Sequence, residues 1–112
     1  MPQSELRIFK AGIFQALSHP TRIAVIDELR GGELNAGALA ERLGVEQANL
    51  SQHLAVLRTR HVVLNRRVAN QVLYSVRDAV LFEVLDLLRQ YFVSQAEETR
   101  TMLAALDSDG GA

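Results

Sequence analysis

The tightest constraint on this chain is a spacing. Two short helix-forming stretches, Ala36–Leu43 and residues 47–60, are separated only by Gly44-Val45-Glu46. Asn35 is a good N-cap for the first stretch, and Gly44 can close it in a left-handed backbone. Leu39 and Leu43 turn inward from the first helix, where Ala38 and Ala40 are small enough for close approach. Leu50, Leu54 and Leu57 fall at i, i+4 and i+7 of the second, which makes a single buried stripe. Two short helices joined this tightly have the signature of a helix-turn-helix.

The side of the second helix opposite its leucines carries Ala48, Ser51, Gln52, Ala55 and Thr59. Such a face is small or polar throughout. The major groove of B-DNA is roughly 12 Å wide, about the diameter of a helix with its side chains, so bulky outward residues would hold a helix off. Ser51 and Gln52 leave room and still offer hydrogen-bonding groups. Gln47 and Asn49 stand at the helix start, where side chains reach deepest, and amides pair two ways with adenine. His53 lies at the edge of the buried stripe, with a structural, phosphate-adjacent or base-reading role open to it. Arg58 and Arg60, at the far end, suit backbone contact.

Residues 62–76, VVLNRRVANQVLYSV, are rich in β-branched and aromatic side chains and predict a hairpin with strands at about 62–67 and 71–76. Arg66 and Arg67 flank its tip, near residues 68–70, and are placed for phosphate or minor-groove contact; Asn70 tolerates a left-handed backbone at the tip. A helix-turn-helix followed by a basic hairpin predicts a winged helix. The remaining elements are helical. Leu6, Phe9, Ile13, Phe14 and Leu17 define a helix over 5–17; Pro20 opens a second over 20–30, with Ile23, Ile26 and Leu29 inward and Gly31-Gly32 at its end. Asp78 caps a long last helix reaching about Leu106, with Leu81, Val84, Leu85, Leu88, Tyr91 and Phe92 on its apolar side. The order is therefore α-α-α-α-β-β-α, mainly helical with a β-hairpin wing: one domain over residues 1–106, followed by a frayed tail, 107–112.

The net charge is −1, but it is unevenly distributed. Residues 1–50 carry 5 basic and 6 acidic side chains, residues 51–77 carry 5 arginines and no acid, and residues 78–112 carry 2 arginines and 7 acids. From Gln47 to Arg77 there is no acidic residue, which predicts a basic face for a polyanion with an acidic C-terminal segment apart from it. With 48% hydrophobic and 22% charged residues the chain is globular rather than disordered. The absence of cysteine excludes disulfides, thiolate metal sites and a cysteine nucleophile. No apolar run approaches the roughly 20 residues of a membrane span, and MPQSELRIFKAG lacks the apolar block of a signal peptide, so a cytoplasmic location is expected.

Three stretches together carry a resemblance: ALSHPTRIAVIDEL (16–29), ALAERLGVEQANLSQHLAVLR (38–58) and the 62–76 wing. Over about residues 6–95 the chain resembles the ArsR/SmtB family of small winged-helix repressors, most tellingly at SQHLAVLR. The resemblance implies a homodimer built from the first and last helices, with Leu6, Phe9, Ile13, Leu81, Leu85, Leu88 and Phe92 at the interface. It also implies one recognition helix per subunit and a promoter released when an inducer shifts the dimer; nothing in the residues names that inducer. The chain departs from the family's metal sensors, which carry cysteines in the first helix of the helix-turn-helix or histidines along the last helix. Here the corresponding region is LNAGALAERL, and the last helix has acids but no histidine. His61 stands where a glycine usually follows the recognition helix.

The expected function is that of a dimeric repressor binding double-stranded DNA at an inverted-repeat operator, with no cofactor and no metal. The alternative is a protein-interaction module on the same fold. His19 is expected to cap or brace the second helix, and His61 to end the fourth. The acids of the last helix form its wet face or, alternatively, a carboxylate-only site for a hard cation. Tyr91 and Phe92 belong to the dimer core or to a pocket for an apolar effector. Three scattered histidines without a Gly-rich phosphate loop give no basis for an enzyme.

Overall fold

The computed structural model describes residues 2–110, and its backbone follows the predicted order with one addition. Helix α1 spans Gln3–Ala16 and α2 spans Pro20–Glu28, continued by a single 3-10 turn, Leu29–Gly31. A two-residue strand β1, Leu34–Asn35, precedes α3 (Ala36–Leu43) and α4 (Gln47–Thr59). The hairpin strands are β2, Val63–Val68, and β3, Gln71–Val76; helix α5 is Val80–Gly110. The chain divides into two compact units, residues 1–79 and 80–112.

In the first unit the core is a layer of aliphatic side chains: Val25, Ile26 and Leu29 from α2 and its extension, Leu39 from α3, Leu50, Leu54 and Leu57 from α4, and Val62 and Val63 at the entry to the wing. Ile23 departs from expectation, being 40% exposed. At 100° per residue the buried stripe of α2 centres on Val25, Ile26 and Leu29, which leaves Ile23 more than a quarter turn away.

The wing is three-stranded rather than a bare hairpin, in the order β1-β3-β2 and antiparallel throughout. Leu34 pairs with Tyr74 and Asn35 with Leu73. A strand of two residues has no periodicity, so only the fold shows it. Asn35 also caps α3 as expected, its Oδ1 accepting the Ala38 amide at 2.7 Å.

Both helices of the helix-turn-helix end in the same way. After α3, Gly44 (φ 66°) donates to Glu41 O, and Val45 donates to Ala40 O at 3.1 Å. After α4, His61 (φ 61°) donates to Arg58 O at 3.0 Å, and Val62 donates to Leu57 O at 2.9 Å. This paired closure needs a left-handed residue, and at the second site a histidine supplies it. Ending α4 is therefore the structural role of His61. At the wing tip the left-handed residue is Ala69 (φ 53°) and not Asn70, because Val68 pairs with Gln71 and the first place of the two-residue loop takes the positive φ.

Helix α5 begins two residues after Asp78 and runs through Asp107 to Gly110, past the expected end at Leu106. No helix breaker intervenes before Gly110; of the expected tail, residues 111 and 112 lie outside the described residues.

A left-handed backbone costs an L-residue with a Cβ roughly 1–2 kcal/mol. His61→Gly is expected to stabilise the protein by about 1 kcal/mol, after allowing for the greater chain entropy of glycine. Urea denaturation monitored by circular dichroism measures this; a destabilised variant would show that the imidazole, not the backbone, matters at this position.

Candidate nucleic-acid interface

Helix α4 has two faces with different work. Leu50, Leu54 and Leu57 are at most 1% exposed. On the other side Gln47, Ala48, Asn49, Ser51, Gln52, Ala55 and Thr59 are all exposed. Glu46 precedes the helix without a side-chain cap bond, so the N-cap side chain does not occupy the first-turn amides. The Ser51 hydroxyl donates to Gln47 O at 2.9 Å, which leaves its oxygen lone pairs facing outward as acceptors. Asn49 and Gln52 keep both amide groups for an external partner, with no hydrogen bond of their own among the described residues.

The arginines divide into engaged and open. Arg60 folds back on α1: its Nη2 donates to Gln15 Oε1 at 3.5 Å, and its guanidinium lies so close to Gly12 that a Cβ there would stand 2.9 Å from Nη1. Arg66 is held by Glu33 in a two-pronged pair, Nε to Oε2 and Nη2 to Oε1, both at 2.7 Å. Arg58 and Arg67 have no side-chain partner among the described residues. On β2, Arg67 shares the strand face of Val63 and Asn65, whereas Arg66 shares that of Leu64 and Val68. Asn70 is exposed at the tip.

Two residues at the start of α2, His19 and Arg22, brace α4 through its His53. His19 caps α2, its Nδ1 accepting the Thr21 amide at 3.1 Å. Its ring lies 4.3 Å from that of His53, centroid to centroid, at 46°. Arg22 donates from Nε to His53 Nδ1 at 3.2 Å, and from Nη1 to Ala16 O at 3.1 Å and Gln15 O at 3.4 Å. The end of α1, the start of α2 and the middle of α4 are thus joined through one guanidinium. Because Nδ1 of His53 accepts, its proton is on Nε2 when the ring is neutral. Burial pushes the His53 pKa below its usual 6.5, and the neighbouring His19 and Arg22 add to this.

A helix-turn-helix domain family matches residues 17–61, which run from the end of α1 through the closure of α4. The HTH-type transcriptional regulator Rv0081 of Mycobacterium tuberculosis is 33% identical over 113 residues, covering 100% of this chain and 99% of the relative. Its crystal structure superposes with a TM-score of 0.76, at 34% identity, over 84% of this chain and 95% of that one. A biofilm growth-associated repressor of Xylella fastidiosa is 33% identical over 88 residues, 79% of this chain and 77% of the repressor. In fold alone, a homodimeric winged helix-turn-helix DNA-binding domain of Mycobacterium bovis, described as possibly of the ArsR family, matches with a TM-score of 0.78 at 22% identity, over 86% of this chain and 89% of that one.

The chain belongs to the ArsR family.

As a winged helix-turn-helix member of that family, it is a DNA-binding transcriptional regulator, with α4 as recognition helix and β2–β3 as wing. The relatives named above are regulators, not enzymes. No group of three or more His, Asp or Glu side chains among the described residues is placed to hold a metal ion, and no described helix is long and apolar enough to cross a membrane.

The residues missed by sequence reasoning are Arg22 and Glu33. Each meets its partner 31 or 33 positions away, and no local pattern marks such a pair. The expected dimer residues lie on α1 (Leu6, Phe9, Ile13) and α5 (Leu81, Leu85, Leu88, Phe92), where Phe9 is 44% and Phe92 60% exposed.

Neutral His53 is favoured by folding, so the folded state binds protons there less readily than the unfolded chain does. The stabilisation is fully present above pH 6.5 and is lost as the pH falls below it, through the lowered folded value. Unfolding free energies should therefore decline from pH 7.5 to 5.5. In His53→Asn, whose carbonyl oxygen can still accept from Arg22 without titrating, urea denaturation should show a shallower decline.

Proposed function

We propose that this ArsR-family regulator is a dimeric repressor that places α4 of each subunit in successive major grooves of an inverted-repeat operator. The observation that carries this reading is the outer face of α4, small and polar from Ala48 to Thr59 above three fully buried leucines. Gln47, Asn49, Ser51 and Gln52 read base edges. His53 contributes through its Nε2–H. The uncapped first turn favours a phosphate. Arg58, Arg67 and Asn70 contact the strands; Arg60 and Arg66, engaged by Gln15 and Glu33, are available to them only where those partners release them. Residues 1–106 act as one DNA-binding and dimerisation domain in the cytoplasm.

Exposed apolar surface supports the dimer. Ile8, Phe9 and Phe14 on α1 are 44–74% exposed, and Leu87, Tyr91 and Phe92 on α5 are 60–63% exposed. Large aromatic and aliphatic side chains left exposed on both helices suit burial against a partner surface. In the proposed dimer Phe9, Tyr91 and Phe92 join Leu6, Ile13, Leu81, Leu85 and Leu88 across a two-fold axis. Half-sites then lie about one helical turn apart, roughly 34–36 Å. An inducer, where there is one, acts by binding the two dimer states unequally.

Fluorescence anisotropy with the upstream region of the chain's own gene, and with a shuffled duplex of equal length, tests the assignment of roles. Arg67→Ala should weaken both duplexes alike and flatten the slope of log affinity against log salt by about 0.9. Gln52→Ala should weaken only the operator, by roughly tenfold or more at the base pair it reads. Equal losses on both duplexes for both variants would reject the division of labour. In sedimentation velocity the wild type should run as a dimer and Phe92→Glu as a monomer at micromolar concentration; a wild-type monomer that still binds operator tightly would reject the two-fold arrangement.

A further inference from the structure

Glu33 stands immediately before β1, outside the acid-free block, yet its carboxylate ends on the wing. The register explains how. Asn35 of β1 pairs with Leu73 of β3, and Leu73 pairs with Arg66 of β2. Glu33, two residues before Asn35, therefore reaches diagonally over β3 to Arg66. The two outer strands are joined by a pair that uses both carboxylate oxygens and one edge of the guanidinium, at 2.7 Å each.

We propose that Glu33 is an affinity-determining residue of the wing: its carboxylate occupies the edge of Arg66 that would otherwise grip a DNA phosphate, so that Arg67 alone is the wing's standing cation. This rests on the duplex-binding role of the wing proposed above. A carboxylate and a phosphate engage a guanidinium through the same two-pronged geometry, so they compete for one edge. A duplex must either expel the carboxylate from Arg66 or accept a wing whose Arg66 is neutralised. With Glu33 counted, Arg66 and Arg67 present one net positive charge where the local sequence shows two. The hydrogen bonds that Arg66 donates to the Glu33 carboxylate lower the Glu33 pKa and raise that of Arg66, so both partners stay charged at neutral pH.

A brace without competition would behave differently, and salt dependence separates the two. Glu33→Gln keeps a carbonyl acceptor for the wing while removing the competing charge. Affinity for a random-sequence duplex is measured from 50 to 200 mM salt for wild type, Glu33→Gln and Glu33→Gln/Arg66→Gln. Competition predicts that Glu33→Gln binds several-fold more tightly at low salt, with a slope steeper by about 0.9, the signature of one more phosphate neutralised. The double variant should return to the wild-type slope. A wild-type slope in Glu33→Gln that falls in the double variant would mean that Arg66 reaches phosphate with Glu33 in place, and would overturn the proposal. Weaker binding by Glu33→Gln would overturn it too, in favour of a carboxylate that only aligns Arg66. Absence of duplex binding in all three proteins, the wild type included, would defeat the repressor reading itself and the role of Glu33 with it.

Discussion

The arrangement of the whole DNA-binding unit depends on burying one ridge, Leu50, Leu54 and Leu57. A fully buried leucine stabilises a fold by about 1.5–3 kcal/mol relative to an exposed one. Hydrophobic burial has no direction of its own, but a stripe confined to one side of a helix sets the rotation of that helix about its axis. Once the ridge packs against Val25, Ile26 and Leu39, the positions half a turn away must face out. Those positions hold Ala48, Ser51, Gln52 and Ala55. One geometric requirement therefore produces both the core and the surface offered to a groove.

Charge follows a different logic. Guanidinium groups on long side chains go where partners are, and the fold supplies partners from distant segments. Arg60 lies along α1 over Gly12, the close approach that a residue without a side chain permits. Arg22 joins the ends of α1 and α2 to the middle of α4 through His53. Arg66 is engaged by Glu33. The basic face is thus graded, with Arg58 and Arg67 open and two other arginines conditional on releasing a partner. Surface pairs of this kind contribute little to stability, so their effect is on where charge is available rather than on whether the chain folds.

Backbone strain also concentrates around the recognition helix and wing. The closure of α4 and the wing tip both need a positive φ, and both are occupied by residues with a Cβ, His61 and Ala69. The unstrained alternative is present one element earlier at Gly44, where the same hydrogen-bonded closure ends α3. The paired bonds to Leu57 and Arg58 hold His61 in place against its intrinsic preference.

The sequence by itself determined the helix-turn-helix, the wing and the long last helix, because each is a local pattern: a leucine every third or fourth residue, a run of β-branched side chains, a cap such as Asn35 before a helix. It also determined the uncluttered outer face of α4, which is the complement of the leucine stripe. What only the tertiary structure decided are the meetings across sequence: the short β1 strand that makes the wing three-stranded, the His19–Arg22–His53 brace, the exposure of Ile23, and the pairing of Glu33 with Arg66. Periodicity reports which way a side chain leaves its own helix or strand. It carries no information about which distant segment waits there, and electrostatic pairing is set by that distance in space.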